Sequence, residues 1–208
     1  MKILIADDHA IVRRGLKQIL SDEFSDASIQ EVPDGNELLN KVRAENYDII
    51  ISDISMPGLN GLETLKQLRL EFPKLPVLIL SMHPEDQYAI RALRAGASGY
   101  LTKDSAPDEL VKAVNQIRGG RRYITSSVAE KLAETLHMDS SKELHETLSD
   151  REFDVLKLIA SGKTVSEIGE KLSLSVTTVS TYRARVLVKM KFNTNAEMTH
   201  YAVENKLI

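Results

Sequence analysis

Residues 2–8 read KILIADD and residues 47–61 read YDIIISDISMPGLNG. In each, an apolar run too continuous for a one-sided strand ends on aspartate. ILIA, IIIS and, farther on, VLILS read as strands buried on both faces, as in a parallel sheet covered by helices. Strand signals fall near 2–7, 27–32, 48–53, 76–81 and 98–102, with helical patterns between them. Ile11, Leu16, Ile19 and Leu20 are predicted to share one helix face. Leu62, Leu65, Leu68 and Arg69 follow Gly61. Pro84 suits the first turn of a helix running to Arg94, with Gly96 as its stop. Pro107 opens another that ends at Gly119 and Gly120. Strands alternating with helices predict an α/β, doubly wound, five-stranded parallel sheet over residues 1–120.

Ligands of such sheets gather outside the C-terminal ends of the strands. Asp7 and Asp8 end the first run and Asp53 ends the third. If those strands are neighbours, three carboxylates share one small volume. Each raises the others' pKa unless a hard cation is present. Mg²⁺ suits an all-oxygen site in which waters are retained for a phosphoryl oxygen. The segment 53–61, DISMPGLNG, looks like a phosphoacceptor loop, its turn shaped by Pro57, Gly58 and Gly61. His9 and His83 flank the site, but a hard-oxygen site argues against them as metal ligands.

A chain of 208 residues allows one or two domains. There is no cysteine, so neither disulfides nor thiol chemistry contribute. No apolar run approaches the ~20 residues that span a bilayer, and no signal-peptide pattern follows Lys2. A cytoplasmic protein with no membrane partner is expected. The net charge of −3 is unevenly spread. Residues 1–120 hold 14 Lys+Arg against 18 Asp+Glu, and residues 149–208 hold 9 against 7. Residues 176–191 carry four basic side chains and no acidic one. That is either a solvated helix face or a nucleic-acid footprint.

Past the sheet, ITSSVAEKLAETLH predicts a short helix capped by Ser126 or Ser127, and MDSSKELHE a polar linker, so that 121–147 joins two domains. From 148 to 208 the strand signal is absent. Ser149/Glu152, Thr164/Glu167 and Thr194/Glu197 each fit a capping box, Ser/Thr-x-x-Glu, at a helix start. Ser175 caps a further helix over 176–190, and Gly162 ends the first. Phe153, Leu156 and Ile159 face inward. A small all-α four-helix domain results, with the short turn KLSLS between its second and third helices, as in a helix-turn-helix.

The set Asp7, Asp8, Asp53, Ser81, Tyr100 and Lys103, the last three within LILSMH and GASGYLTKD, resembles that of receiver domains, which are flavodoxin-like. LSDREFDVLKLIASGKTVSEIGEKLSLSVTTVSTYRARVLVKM resembles a LuxR-type helix-turn-helix domain. Together they are similar to response regulators of the NarL/FixJ family. The resemblance implies a two-component phosphoprotein, a transcription regulator rather than an enzyme. Asp53 would accept a phosphoryl group, with Asp7, Asp8, Asp53 and the Ser55 carbonyl holding Mg²⁺. Lys103 would reach the phosphoryl oxygens. Ser81 and Tyr100 would be the switch that responds.

It further implies a sensor histidine kinase as donor, a two-fold double-stranded DNA site and a homodimer formed on phosphorylation. On a helical wheel of the 176–190 helix, Val179, Tyr182, Val186 and Met190 face inward. Thr177, Ser180, Thr181, Ala184 and Val188 face outward, flanked by Arg183 and Arg185, with Lys189 farther round. These outward and basic residues are the expected DNA contacts. Met198 and Tyr201 of the last helix are the expected dimer contacts. Two departures stand out: Ser180 takes a place often held by lysine, and Gly169 one usually held by alanine. Two other readings are weaker. A dehalogenase-like phosphatase needs a DxD nucleophile, whereas Ile54 and Ser55 follow Asp53. A ligand-sensing LuxR-type regulator needs no acidic triad.

Overall fold

The computed structural model describes residues 1–137 and 143–208, which form two compact units, Met1–Leu136 and His137–Ile208. In the first, strands β1 (Lys2–Ala6), β2 (Ser28–Val32), β3 (Ile49–Asp53), β4 (Val77–Ser81) and β5 (Gly99–Thr102) form one sheet in the order β2-β1-β3-β4-β5. Every pairing is parallel. The expected sheet is therefore present, each strand within a residue or so of its predicted bounds. β1, β3 and β4 are apolar along their lengths because helices cover both faces. Ile3, Ile5, Ile49, Ile51, Leu78 and Leu80 lie in one core with Leu16, Leu20, Leu110 and Val114 of α1 (Ala10–Glu23) and α5 (Ala106–Arg118). The alternate residues Leu4, Ile50 and Ile79 are fully buried toward the other side. Leu38, Leu39 and Val42 of α2 (Gly35–Ala44) and Leu62, Leu65 and Leu68 of α3 (Gly61–Glu71) are buried as well. α4 (Glu85–Arg94) packs on β5.

Ile11 is a correction. It is 82% exposed, whereas Leu16 and Leu20 are buried. Nine residues at about 100° each place Ile11 half a turn from Leu20, so the two cannot share a face.

The register carries the strand ends to one place. Ala6 lies opposite Ser52, Asp53 opposite Leu80, and Ser81 opposite Thr102. Beyond α5 the chain turns back along the outer edge of β5. Tyr123 N–H donates to the Ser98 carbonyl at 2.8 Å, and Tyr123 bridges Gly99 in parallel. Helix α6 (Ser126–His137) follows. Its cap is neither Ser126 nor Ser127. The Thr125 hydroxyl accepts from Val128 N–H at 3.4 Å, and the Thr125 carbonyl accepts from Ala129 N–H. Of the predicted linker MDSSKELHE, residues 138–142 lie outside the described residues, and Leu144–Thr147 form a 3₁₀ turn.

The second unit holds α7 (Asp150–Ala160), α8 (Val165–Leu172), α9 (Val176–Met190) and α10 (Asn195–Glu204). Full capping boxes open α7 and α8, and Ser175 caps α9. The box at α10 is only half formed. Thr194 accepts from Glu197 N–H, but the Glu197 carboxylate reaches back to Asn193 N–H, one residue beyond the cap. Gly169 acquires a reason. A Cβ there would lie 2.8 Å from the Leu174 carbonyl oxygen of the α8–α9 turn, and Leu174 N–H donates to the Gly169 carbonyl at 2.8 Å. The turn runs so close over α8 that a side chain would push it away.

Candidate phosphoacceptor site and nucleic-acid interface

The parallel register places Asp7 and Asp53 side by side at the C-terminal edge of β1 and β3, nearly fully buried. Lys103, just past β5, bridges them. Its Nζ lies 2.7 Å from Asp53 Oδ2 and 2.6 Å from Asp7 Oδ2. Burial alone would lower the Lys103 pKa, but the two carboxylates outweigh it and hold the ammonium charged. Burial pushes the Asp53 carboxyl up; Lys103 opposes this and Asp7 adds to it. Asp53 Oδ1 is buried and accepts no hydrogen bond. The loop after Asp53 is folded tightly under the site. A Cβ on Gly61 would fall 1.9 Å from the Asp53 carbonyl oxygen, so only glycine fits. Asn60, buried, caps α3 by accepting from Glu63 N–H at 2.8 Å.

Asp8 is exposed at the mouth, and His9 Nδ1 lies 2.7 Å from its Oδ1. Ligand atoms of Asp7, Asp8, His9 and Asp53 all lie within 4.8 Å of one another. The oxygen-rich donor set and the unpartnered Asp53 Oδ1 fit a hard cation such as Mg²⁺. The carboxylates of Asp7, Asp8 and Asp53 are the side chains that would hold it.

Ser81 and Tyr100 are both buried, and His83 joins them. Ser81 Oγ accepts from His83 N–H at 3.0 Å, and the Tyr100 hydroxyl donates to the His83 carbonyl at 2.8 Å. The His83 ring stacks on Tyr88 of α4, with centroids 4.4 Å apart, and its Nε2 lies 3.3 Å from Ser55 Oγ. The sequence marks His83 only as a flanking residue. Its place as the hub rests on its amide and carbonyl toward Ser81 and Tyr100 and on its ring toward Ser55 and α4, contacts that a sequence pattern does not reveal.

In the second unit, Val179, Val186 and Met190 are buried, and Tyr182 is half-buried. Thr177, Ser180, Thr181, Ala184, Arg185 and Val188 are exposed along the opposite side of α9. The predicted wheel holds. Arg183 Nε donates to Asn195 Oδ1 of α10 at 2.7 Å, a partner the sequence reading missed. Lys189, its side chain 41% exposed, also pairs at 2.6 Å with the buried carboxylate of Glu152 on α7, a brace the helical wheel does not show. One expectation is corrected. Met198 has no exposed surface, and the Tyr201 hydroxyl lies 3.0 Å from His145 Nδ1. Both face inward, because α10 packs on α7 along that side. The outward stripe of α10 is Ala196, His200 and Val203, the last 58% exposed.

Comparison with known proteins follows the same division. Residues 3–115 match the response regulator receiver domain, and residues 146–202 match the luxR family of bacterial regulatory proteins. The chain is 33% identical over 208 residues to the response regulator UvrY of Escherichia coli K12, covering all of this chain and 95% of that one. It is 35% identical over 215 residues to the oxygen regulatory protein NreC of Staphylococcus haemolyticus, covering 100% and 99%. RcsB of Salmonella enterica serovar Typhimurium, bound to promoter rprA with the phosphomimetic BeF3−, matches with a TM-score of 0.65 and 28% identity. That match covers 97% of this chain and 98% of RcsB. A structure of two RcsB dimers on two parallel DNAs gives 0.60 at 28% identity, each chain covered to 98%.

Proposed function

Since the chain belongs to the two-component response regulators that join a receiver domain to a LuxR-type DNA-binding domain, we propose that phosphorylation of Asp53 governs its DNA binding. The observation that carries this reading is the buried pair of Asp53 and Lys103, with Asp53 Oδ1 left without a partner. Asp53 Oδ1 is the nucleophile. It forms a bond to phosphorus as the bond to the donor breaks, the donor being a histidine kinase's phosphohistidine or a small acyl phosphate. Lys103 neutralises charge on the phosphoryl oxygens, and the Ser81 hydroxyl is placed to donate to one of them. Mg²⁺, when bound by Asp7, Asp8, Asp53 and the Ser55 carbonyl, supplies the positive charge that lets a dianion approach three carboxylates.

The outer side of α9 enters a major groove. Small hydroxyls and the Ala184 methyl read base edges, and Arg183 and Arg185 meet phosphates. A two-fold operator needs two recognition helices about one duplex turn apart, roughly 34 Å. The outward stripe of α10 is the face we assign to that homodimer, which phosphorylation favours. A cytoplasmic location is consistent with these roles, and no described helix is long and apolar enough to cross a membrane.

Incubation with acetyl phosphate and Mg²⁺ should add one phosphoryl mass to the parent and none to Asp53→Asn. Uptake by Asp53→Asn places the acceptor elsewhere.

A further inference from the structure

The segment after α5 is tied to three receiver elements before α6 begins, and one tie reaches the element that carries the switch. Tyr123 is buried, with its backbone on β5 and its hydroxyl hydrogen-bonded to Glu109 of α5. The approach is close: a Cβ on Gly99 would lie 2.9 Å from the Tyr123 carbonyl oxygen. Two residues on, the Thr125 hydroxyl donates to Glu85 Oε2 at 2.7 Å while accepting from Val128 N–H. Glu85 is the first residue of α4, and Thr125 the residue before α6. The carboxylate sits at the start of both helices, where the exposed amides favour negative charge. Only Met82, His83 and Pro84 separate Glu85 from the switch serine Ser81. His83 holds both Ser81 Oγ and the Tyr100 hydroxyl.

We propose that Thr125 and Glu85 are positioning residues that make α4 and the first turn of α6 move as one, so that a change at Ser81 and Tyr100 is delivered to the chain entering the DNA-binding unit. This deepens the phosphorylation reading and rests on it. Glu85 faces the threonine hydroxyl from α4, and Tyr123 fixes the segment to β5 and α5. When the β4–α4 loop rearranges around a phosphoryl group, Tyr123 is the fixed point and Thr125 follows α4. The last residue of α6, His137, begins the second unit. A shift at the cap is therefore carried along α6 to that residue. A state-dependent contact of this kind is what converts a local event into coupling between sites.

The test uses the full chain, beryllofluoride with Mg²⁺ as the phosphoryl mimic, and a duplex of about 30 base pairs enriched from a random pool by the parent. Affinity is measured with and without beryllofluoride for the parent, Thr125→Val, Thr125→Ser and Glu85→Gln. Thr125→Val keeps the shape and removes the hydroxyl; Thr125→Ser keeps the hydroxyl. The beryllofluoride-induced gain in affinity should fall about tenfold in Thr125→Val and Glu85→Gln, about 1.4 kcal/mol of coupling, and persist in Thr125→Ser. Affinity without beryllofluoride and phosphoryl uptake at Asp53 should stay at parent values, which a merely structural role would not predict. A parental gain in both Thr125→Val and Glu85→Gln overturns the coupling role and leaves the phosphorylation reading standing. A parent that binds DNA equally with and without beryllofluoride overturns both.

Discussion

Lys189 and Arg183 are both basic and both on α9, yet their partners set them apart. Lys189 sits on Glu152, a carboxylate buried at the first turn of α7. Arg183 is held by a neutral amide, which orients the guanidinium at Nε and leaves its charge intact. Lys189→Met should lower the stability of the DNA-binding unit by about 1–2 kcal/mol, because it leaves a buried carboxylate with the Ser149 amide but no counter-charge. It should leave the slope of log affinity against log salt near the parent's. Arg183→Ala should leave stability nearly unchanged and reduce that slope by about one phosphate contact. Chemical denaturation and binding from about 50 to 200 mM salt separate the two, and reversed outcomes would return Lys189 to the DNA face. Glu152 also sets an acid limit. Burial would raise its pKa, but Lys189 and the Ser149 amide outweigh this and hold it below the ordinary 4.5. Its stabilisation is therefore complete above about pH 4.5 and fades as pH falls through the lower folded value. The stability gap between parent and Glu152→Gln should close over that acid range and stay constant from pH 6 to 8.

Among the elements, strands and caps were largely legible in sequence, because both are written in neighbouring residues. A continuous apolar run announces a two-sided strand, and Ser149 with Glu152 announces the start of α7. Close approaches between elements were not legible. Gly169 looked like a defect in α8, since glycine costs a helix interior about 1 kcal/mol relative to alanine. Against that cost stands the Leu174 carbonyl oxygen, 2.8 Å from where a Cβ would be. Gly169→Ala should therefore destabilise the unit by about 1–3 kcal/mol, reversing the sign that helix propensity gives. Thermal unfolding of residues 143–208 checks it, and an unchanged or higher midpoint would show that the turn yields freely. The inward direction of Met198 and Tyr201 was hidden for a related reason. An amphipathic pattern shows that a helix has an apolar side, but not whether its own domain or a partner covers it. The site was legible as far as its charges went, Asp7, Asp8, Asp53 and Lys103. The role of His83 was not, because its amide, carbonyl and ring all act on residues distant from it in sequence or on the main chain.

At the scale of the molecule, the division at Leu136 and His137 gives α6 to the sheet-bearing unit. A fragment of residues 1–136 should take up phosphoryl mass at Asp53, and residues 143–208 should bind DNA without responding to beryllofluoride. Mass spectrometry and titration of the two pieces check this, and a beryllofluoride response in the shorter piece would sink the assignment. The Tyr123 segment has one more consequence. A five-stranded open sheet has two borders, and a bare strand border invites any extended peptide to add itself as a sixth strand. Along β5 that invitation is withdrawn at Gly99 by the chain's own backbone. The β2 border, with Gln30 and Glu31 along it, is wetter and carries charge. Copies of this receiver therefore have little opportunity to zip edge to edge into fibres, which leaves helix faces as the open surfaces for self-association.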